Sequence, residues 1–219
     1  MKTIKSVLTV LLAVSLLAAA CVGVSAFQVE SEDLVEIVGP SSWAKPEIDL
    51  AREAGLVTEH TAINFRSDIT RFQFAELIVN MAEKTLGGEI TPKPSNTFAD
   101  CAETAVLKAS AAGIVNGVGQ GKFDPDATTN REQIATMIAR AIAYLEQEGG
   151  KKYAPEAASV EKFSDKGDIS AWAVDGVGLL AANGIMNGTG ETTCSPKSPC
   201  TVEQSILLVY RLFCRTAAG

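Results

Sequence analysis

A single histidine, His60, stands in 219 residues. That scarcity removes most schemes in which an imidazole takes or gives a proton, and it argues against a zinc site, because the cysteines lack ligand spacing as well. The order of residues contains no nucleophile elbow, phosphate-cradling loop or metal cluster, so the chain reads as a non-enzyme that needs no cofactor. Acidic pairs such as Asp124 and Asp126 stand on a turn and read as loop solubilisers or ion ligands. Positive charge is also short: 19 Lys and Arg face 26 Asp and Glu, a formal net charge of −7. Nucleic acid needs a basic face and is excluded as a partner. The apolar run near the N-terminus is too short for a comfortable membrane span. What the chain does have is 47% hydrophobic residues against 21% charged, which provides a sizeable core and argues against wholesale disorder.

The N-terminus reads as a targeting segment. Lys2 and Lys5 precede an apolar run from Val7 to Ala20, and Val24-Ser25-Ala26 puts small residues at the cleavage positions. Residues 1–26 are therefore expected to be a signal peptide, with Phe27 opening the mature chain. Leu17-Ala18-Ala19-Ala20-Cys21 offers a competing reading as a lipoprotein box with Cys21 lipidated, although its Leu is one place too far upstream. Export leaves Cys101, Cys194, Cys200 and Cys214, an even number in a compartment that permits disulfides.

The most informative feature is an internal repeat. Gly113-Ile114-Val115-Asn116-Gly117 recurs as Gly184-Ile185-Met186-Asn187-Gly188. The same offset carries Phe123-Asp124-Pro125 onto Cys194-Ser195-Pro196, Asn130-Arg131-Glu132-Gln133 onto Thr201-Val202-Glu203-Gln204, and Arg140 onto Arg211. Cys101 and Trp172 stand at the same distance ahead of the first Gly of these two copies, behind Phe98-Ala99-Asp100 and Phe163-Ser164-Asp165. A worn copy precedes them. Trp43 stands the same distance before Gly55-Leu56-Val57, and Thr70-Arg71-Phe72-Gln73 matches the later Arg element, with Asn80 at the Arg140 position. This copy lacks the Asn-Gly and Phe-Asp-Pro elements, and its inter-element loop is two residues shorter.

Each copy reads as helix, loop, helix. The first helix (44–54, 104–112, 171–183) is apolar at helical spacing and stops at Gly or Asn-Gly. The loop is rich in Gly, Pro, Asn and Asp. The second helix opens on a capping box, Thr70 with Gln73, Asn130 with Gln133, and Thr201 with Gln204. It continues with apolar residues such as Ile134, Met137, Ile138, Ala141 and Ile142. A lone hairpin cannot bury its apolar face, so three should pack together. Segments 86–96 and 146–160 read as linkers, and the copies as 27–88, 96–147 and 161–215.

These elements resemble the S-layer homology (SLH) family: Phe-x-Asp, a Trp on the first helix, Gly-Ile-x-x-Gly, Phe-x-Pro, then Thr-Arg-x-Glu. The match covers residues 40–215. The resemblance implies a mainly α, pseudo-threefold bundle. It also implies an exported wall or surface protein that binds secondary cell-wall polysaccharide non-covalently, commonly through pyruvylated sugars in grooves between lobes. Carried over residue by residue, it nominates Arg131, Gly117, Gly119 and Asp100 as the best site, then Arg71, Trp43 and Trp172. An Arg in the first turn of a capped helix has a physical rationale here, since free N–H groups and the dipole point the same way. Its fork suits the carboxylate of a pyruvyl ketal. An acidic protein and an anionic polymer repel at long range, so affinity should rest on local Arg placement and shape.

Other roles compete for the same residues. Arg71 and Arg131 fit structural hydrogen bonds to a neighbouring copy, the tryptophans fit a core, Asp100 and Asp165 fit helix N-caps, and Phe123 fits a loop anchor. Val202 replaces the third copy's Arg, so that site is expected to be weak or structural, and the first copy lacks loop glycines. The second copy has Cys101 in the Trp position and needs a Trp from a neighbour. Worn copies keep open a surface-layer component with protein contacts and no sugar binding. Cys194 and Cys200 stand in for Phe123 and Thr129, while Cys200 and Cys214 fall about 20 Å apart along one helix. The expected pairing is therefore Cys194–Cys200 with Cys101–Cys214.

Overall fold

The structure is a computed structural model that describes residues 39–218; the signal segment 1–26, Cys21 and the start of the first copy lie outside the described residues. Among the described residues six α-helices alternate short and long: α1 (Lys45–Glu53), α2 (Arg71–Leu86), α3 (Thr104–Ala111), α4 (Arg131–Gly149), α5 (Val174–Ala182) and α6 (Val202–Ala218). Among the described residues there is no β-strand, only isolated bridges. The architecture is mainly α.

Local chemistry explains the boundaries. In the two boxes that open α2 and α4, the Thr70 and Asn130 side chains accept the backbone N–H of Gln73 and Gln133, which return bonds to the cap residues. Thr201 and Gln204 exchange the same pair of bonds at 3.3 Å. Gly87 and Gly150 stop α2 and α4 in left-handed conformation, at φ 68° and 66°. The second long helix thus runs three residues past the expected linker start at 146, because Gly150, not the Glu-rich stretch before it, is the first left-handed position. Helix α5 starts at Val174 rather than 171, since Ser170 to Ala173 form a turn closed by a 2.8 Å backbone bond. The linkers are pinned: Glu83 accepts the Ile90 N–H, and Glu146 accepts those of Tyr153 and Ala154, with Ile90 and Tyr153 buried.

The long helices meet about a pseudo-threefold axis. Three backbone bonds close a ring at equivalent positions: Ile69 N–H to Cys200 C=O (2.9 Å), Cys200 N–H to Thr129 C=O (2.9 Å) and Thr129 N–H to Ile69 C=O (3.1 Å). Around it the start of each long helix bonds to the next loop. Arg71 and Phe72 donate backbone N–H to Ala127 and Pro125, Arg131 and Glu132 to Ser198 and Pro196, and Val202 and Glu203 to Ser67 and Phe65. Helix N-termini carry unsatisfied donors, and here the neighbouring loop satisfies them. The apolar faces converge beneath, through Phe74, Leu77, Ile78, Ile134, Ile138, Ile142, Ile206 and Val209. Phe65 and Phe123 are buried loop plugs. Phe65 accepts from Glu203 as Pro125 and Pro196 accept from Phe72 and Glu132, so it plugs the first loop from the Pro position rather than from that of Phe123.

All four described cysteines are free, a correction to the expected Cys194–Cys200 and Cys101–Cys214 bridges. Cys194 and Cys200 are buried toward different neighbours: Cys194 Sγ meets Met186 Sδ at 3.9 Å and Cys200 Sγ meets Ser205 Oγ at 3.4 Å. Cys101 is buried while Cys214 is exposed.

Candidate functional site

Two of the grooves between copies share one layout. The larger, about 510 Å³, is lined by Arg131, the loop residues Asn187, Gly188 and Thr189, the α6 residues Gln204, Leu207, Leu208 and Arg211, and Trp43. The smaller, about 200 Å³, is lined by Arg71, Asn116 and Gly117, the α4 residues Gln133, Thr136, Met137 and Arg140, and Trp172. Each therefore takes an Arg from one copy, a loop and long helix from the next, and a Trp from the one after.

This composition regroups the expected site. Arg131 does not meet Gly117, and Asp100 and Gly119 line neither groove. The pseudo-threefold packing sets each Arg against the following copy's loop. Arg131 donates Nε to Cys194 C=O at 2.8 Å, and Arg71 donates Nε to Phe123 C=O and Nη2 to Asn116 C=O, both at 2.8 Å. The Arg71 guanidinium also lies 4.5 Å from the Phe123 ring centre, a cation–π contact. Burial pushes its pKa down while Asp124 and Asp100 oppose that; an arginine remains a cation.

Arg131 is only 4% exposed and has no salt bridge among the described residues. Its terminal nitrogens have no protein partner and are not sealed from solvent. Each aromatic edge is open: Trp43 and Trp172 are both 57% exposed, so neither is a core residue.

Asp100 is not the N-cap of α3, a position held by Glu103. Its carboxylate accepts the N–H groups of Phe123 and Asp124 at 2.8 and 2.9 Å, which holds its pKa below the ordinary value. Asp165 does the same for Cys194 and Ser195 at 2.8 and 2.7 Å. The pair fixes the loop on which each groove's glycine stands. An added Cβ at Gly117 would come within 2.6 Å of Lys122 C=O, and at Gly188 within 2.5 Å of Thr193 C=O. Gly119 belongs to the turn beside the groove, where it accepts the Lys122 N–H.

Sequence reasoning missed the Asn and Gln lining residues as site residues, and also Arg140 and Arg211. Their recurrence at one offset was the available signal. The position that completes the ring has Val202, Asn80 and Cys101 in place of Arg, Arg and Trp. Asn80 there donates to Gly55 and Leu56 carbonyls, and His60 pairs with Glu76 at 3.0 Å. Among the described residues the cation beside that corner, Lys108, is paired with Glu83 and Glu89, and Cys101 offers no stacking face.

Fold and grooves define a class: a helical repeat module with grooves assembled between its copies. Residues 93–135 and 162–201 match the family model of the S-layer homology domain. These two segments of the chain thus match S-layer homology domains. It is similar to an amylopullulanase of Thermoanaerobacterium thermosulfurigenes, with 29% identity over 78% of this chain and 9% of that protein. It is 28% identical to the exoglucanase XynX of Acetivibrio thermocellus over 78% of this chain and 15% of the relative. The surface-layer 125 kDa protein of Lysinibacillus sphaericus is 25% identical over 78% of this chain and 14% of its own length. The chain therefore spans a small part of each of these relatives. No helix among the described residues is long and apolar enough to cross a membrane.

Proposed function

We propose that this chain is an exported, non-catalytic module that attaches non-covalently to secondary cell-wall polysaccharide through its two composite grooves. The first hairpin acts as a third, worn copy that closes the ring and lends Trp43. In each groove the carboxylate of a pyruvyl ketal faces the Arg fork, a sugar face stacks on the Trp, and the loop glycine admits the ring close to backbone. The observation that carries this reading is Arg131. A buried guanidinium with no ion pair among the described residues is costly, Asp165 acting on it only at longer range, and its open nitrogens face a cavity rimmed by Trp43. An anionic ligand supplies the missing charge.

Both arginines also hold loops together, so their removal alone confounds folding with binding. The tryptophans separate the two, being exposed. Purified wall polymer, with and without its pyruvyl groups, is presented to the wild type and to Trp43→Ala/Trp172→Ala. We expect the double variant to keep its melting temperature and lose most binding, and the wild type to prefer the pyruvylated polymer. Undiminished binding by the double variant would overturn the groove assignment. It would favour the alternative suggested by the third corner, a surface-layer component held by protein contacts.

A further inference from the structure

The two grooves share a template, yet their second cation differs. In the larger groove Arg211 is neutralised: it donates Nε and Nη2 to the two carboxylate oxygens of Glu47 on α1, at 2.8 and 2.7 Å. Its equivalent in the smaller groove, Arg140, is exposed and has no ion pair or hydrogen bond among the described residues. The position on α5 that corresponds to Glu47 is Gly176. That glycine is where α5 presses on α4: an added Cβ would stand 3.1 Å from Thr136 Cα and 3.3 Å from Thr136 N. Close helix packing therefore leaves no room for a carboxylate where one would be needed to quench Arg140.

We propose that the grooves select ligand units of different charge. The smaller groove, where Arg140 stands unpaired and Arg71 feels only the longer-range pull of Asp124 and Asp100, takes a sugar unit carrying a second negative group beside its carboxylate. The larger groove, where Glu47 pairs with Arg211 and only Arg131 is without an ion pair among the described residues, takes a singly charged unit. Placed against Glu47, a second anionic group would meet a like charge. This inference rests on the carbohydrate reading above and deepens it.

The chain has two tryptophans, one in each groove, so their indole N–H resonances report the grooves separately. A Trp43→Phe variant assigns them. The probes are a methyl hexoside bearing one pyruvyl ketal and the same pyruvylated hexose as its anomeric phosphate. We expect the phosphate to bind about tenfold more tightly than the methyl glycoside at the Trp172 resonance, the size of one charge-assisted contact. At the Trp43 resonance it should gain nothing. Arg140→Gln should abolish the Trp172 preference without lowering the melting temperature, and Glu47→Gln should create a preference at Trp43. Equal gain at both resonances, or a gain that survives Arg140→Gln, overturns the charge selection while leaving sugar binding intact. If neither resonance moves with either probe, the carbohydrate reading fails and this inference falls with it.

Discussion

Glu203, near the start of α6, grips Ser41 at the front of the first hairpin: its two carboxylate oxygens accept the Ser41 N–H and Oγ–H, each at 2.8 Å. Glu132 grips Ser170 in the same way, at 2.9 Å for both bonds. At the third equivalent junction Phe72 stands for Glu and Ala99 for Ser. Donor and acceptor are thus present together or absent together, which marks the pair as one structural unit. Glu203→Ala leaves the Ser41 N–H without its acceptor in a part-buried site. We expect a loss of about 1–3 kcal/mol in urea unfolding. Ser41→Ala should cost less, and the double variant little more than Glu203→Ala alone.

The loop carboxylates set the acid limit of stability. Backbone N–H donation from Phe123 lowers the Asp100 pKa. For Asp165 burial acts upward, and the N–H groups of Cys194 and Ser195 outweigh it. Burial acts upward on Glu132 too, and bonds from Lys197 and Ser170 outweigh that. All three folded-state values lie below the unfolded ones. Their contribution is therefore present above the ordinary carboxylate range and is lost as pH falls through the folded values. Melting temperature should be nearly level from neutral to about pH 5 and fall steadily below about pH 4. Asp165→Asn should lower the neutral value and flatten the acid limb; an unchanged limb would remove Asp165 from this account.

Thiol chemistry distinguishes the four described cysteines. Burial raises the thiol pKa of Cys101, Cys194 and Cys200, which lowers their thiolate fraction as well as their access. Cys214 is exposed. Iodoacetamide on the native protein, followed by peptide mapping without reductant, should label Cys214 first and the other three only on unfolding. A linked Cys194–Cys200 peptide would contradict the free-thiol arrangement.

Two glycines should differ in what they tolerate. Gly188, at φ 98°, has Thr193 C=O in the way of a side chain, whereas Gly119, at φ 106°, has open space. Gly119→Ala pays only backbone strain, about 1 kcal/mol. Gly188→Ala adds a clash with backbone and should cost roughly 2–3 kcal/mol, with loss of binding at the Trp43 resonance and retention at Trp172.

Much of this was legible without coordinates, and the reason is local. Capping boxes, left-handed glycines and apolar spacing act within a few residues, so Thr70, Asn130 and Thr201 announce their helices in any context. The offset that carries Asn116-Gly117 onto Asn187-Gly188 likewise declared a common hairpin. What the residues along the chain could not declare was which copy's Arg meets which copy's loop. Arg131 and Gly117 are near in sequence and share a motif, yet Arg131 belongs with Gly188 and Trp43. The ring of bonds through Ile69, Thr129 and Cys200 places each helix start against the next loop rather than its own, and only that closure makes the grooves composite. Burial decided the rest: the chain order leaves Trp43 and Trp172 free to be core or platform, and the helix packing turns both outward. It also leaves Arg140 and Arg211 as equals, until the close approach of Gly176 to Thr136 denies one the carboxylate that the other has.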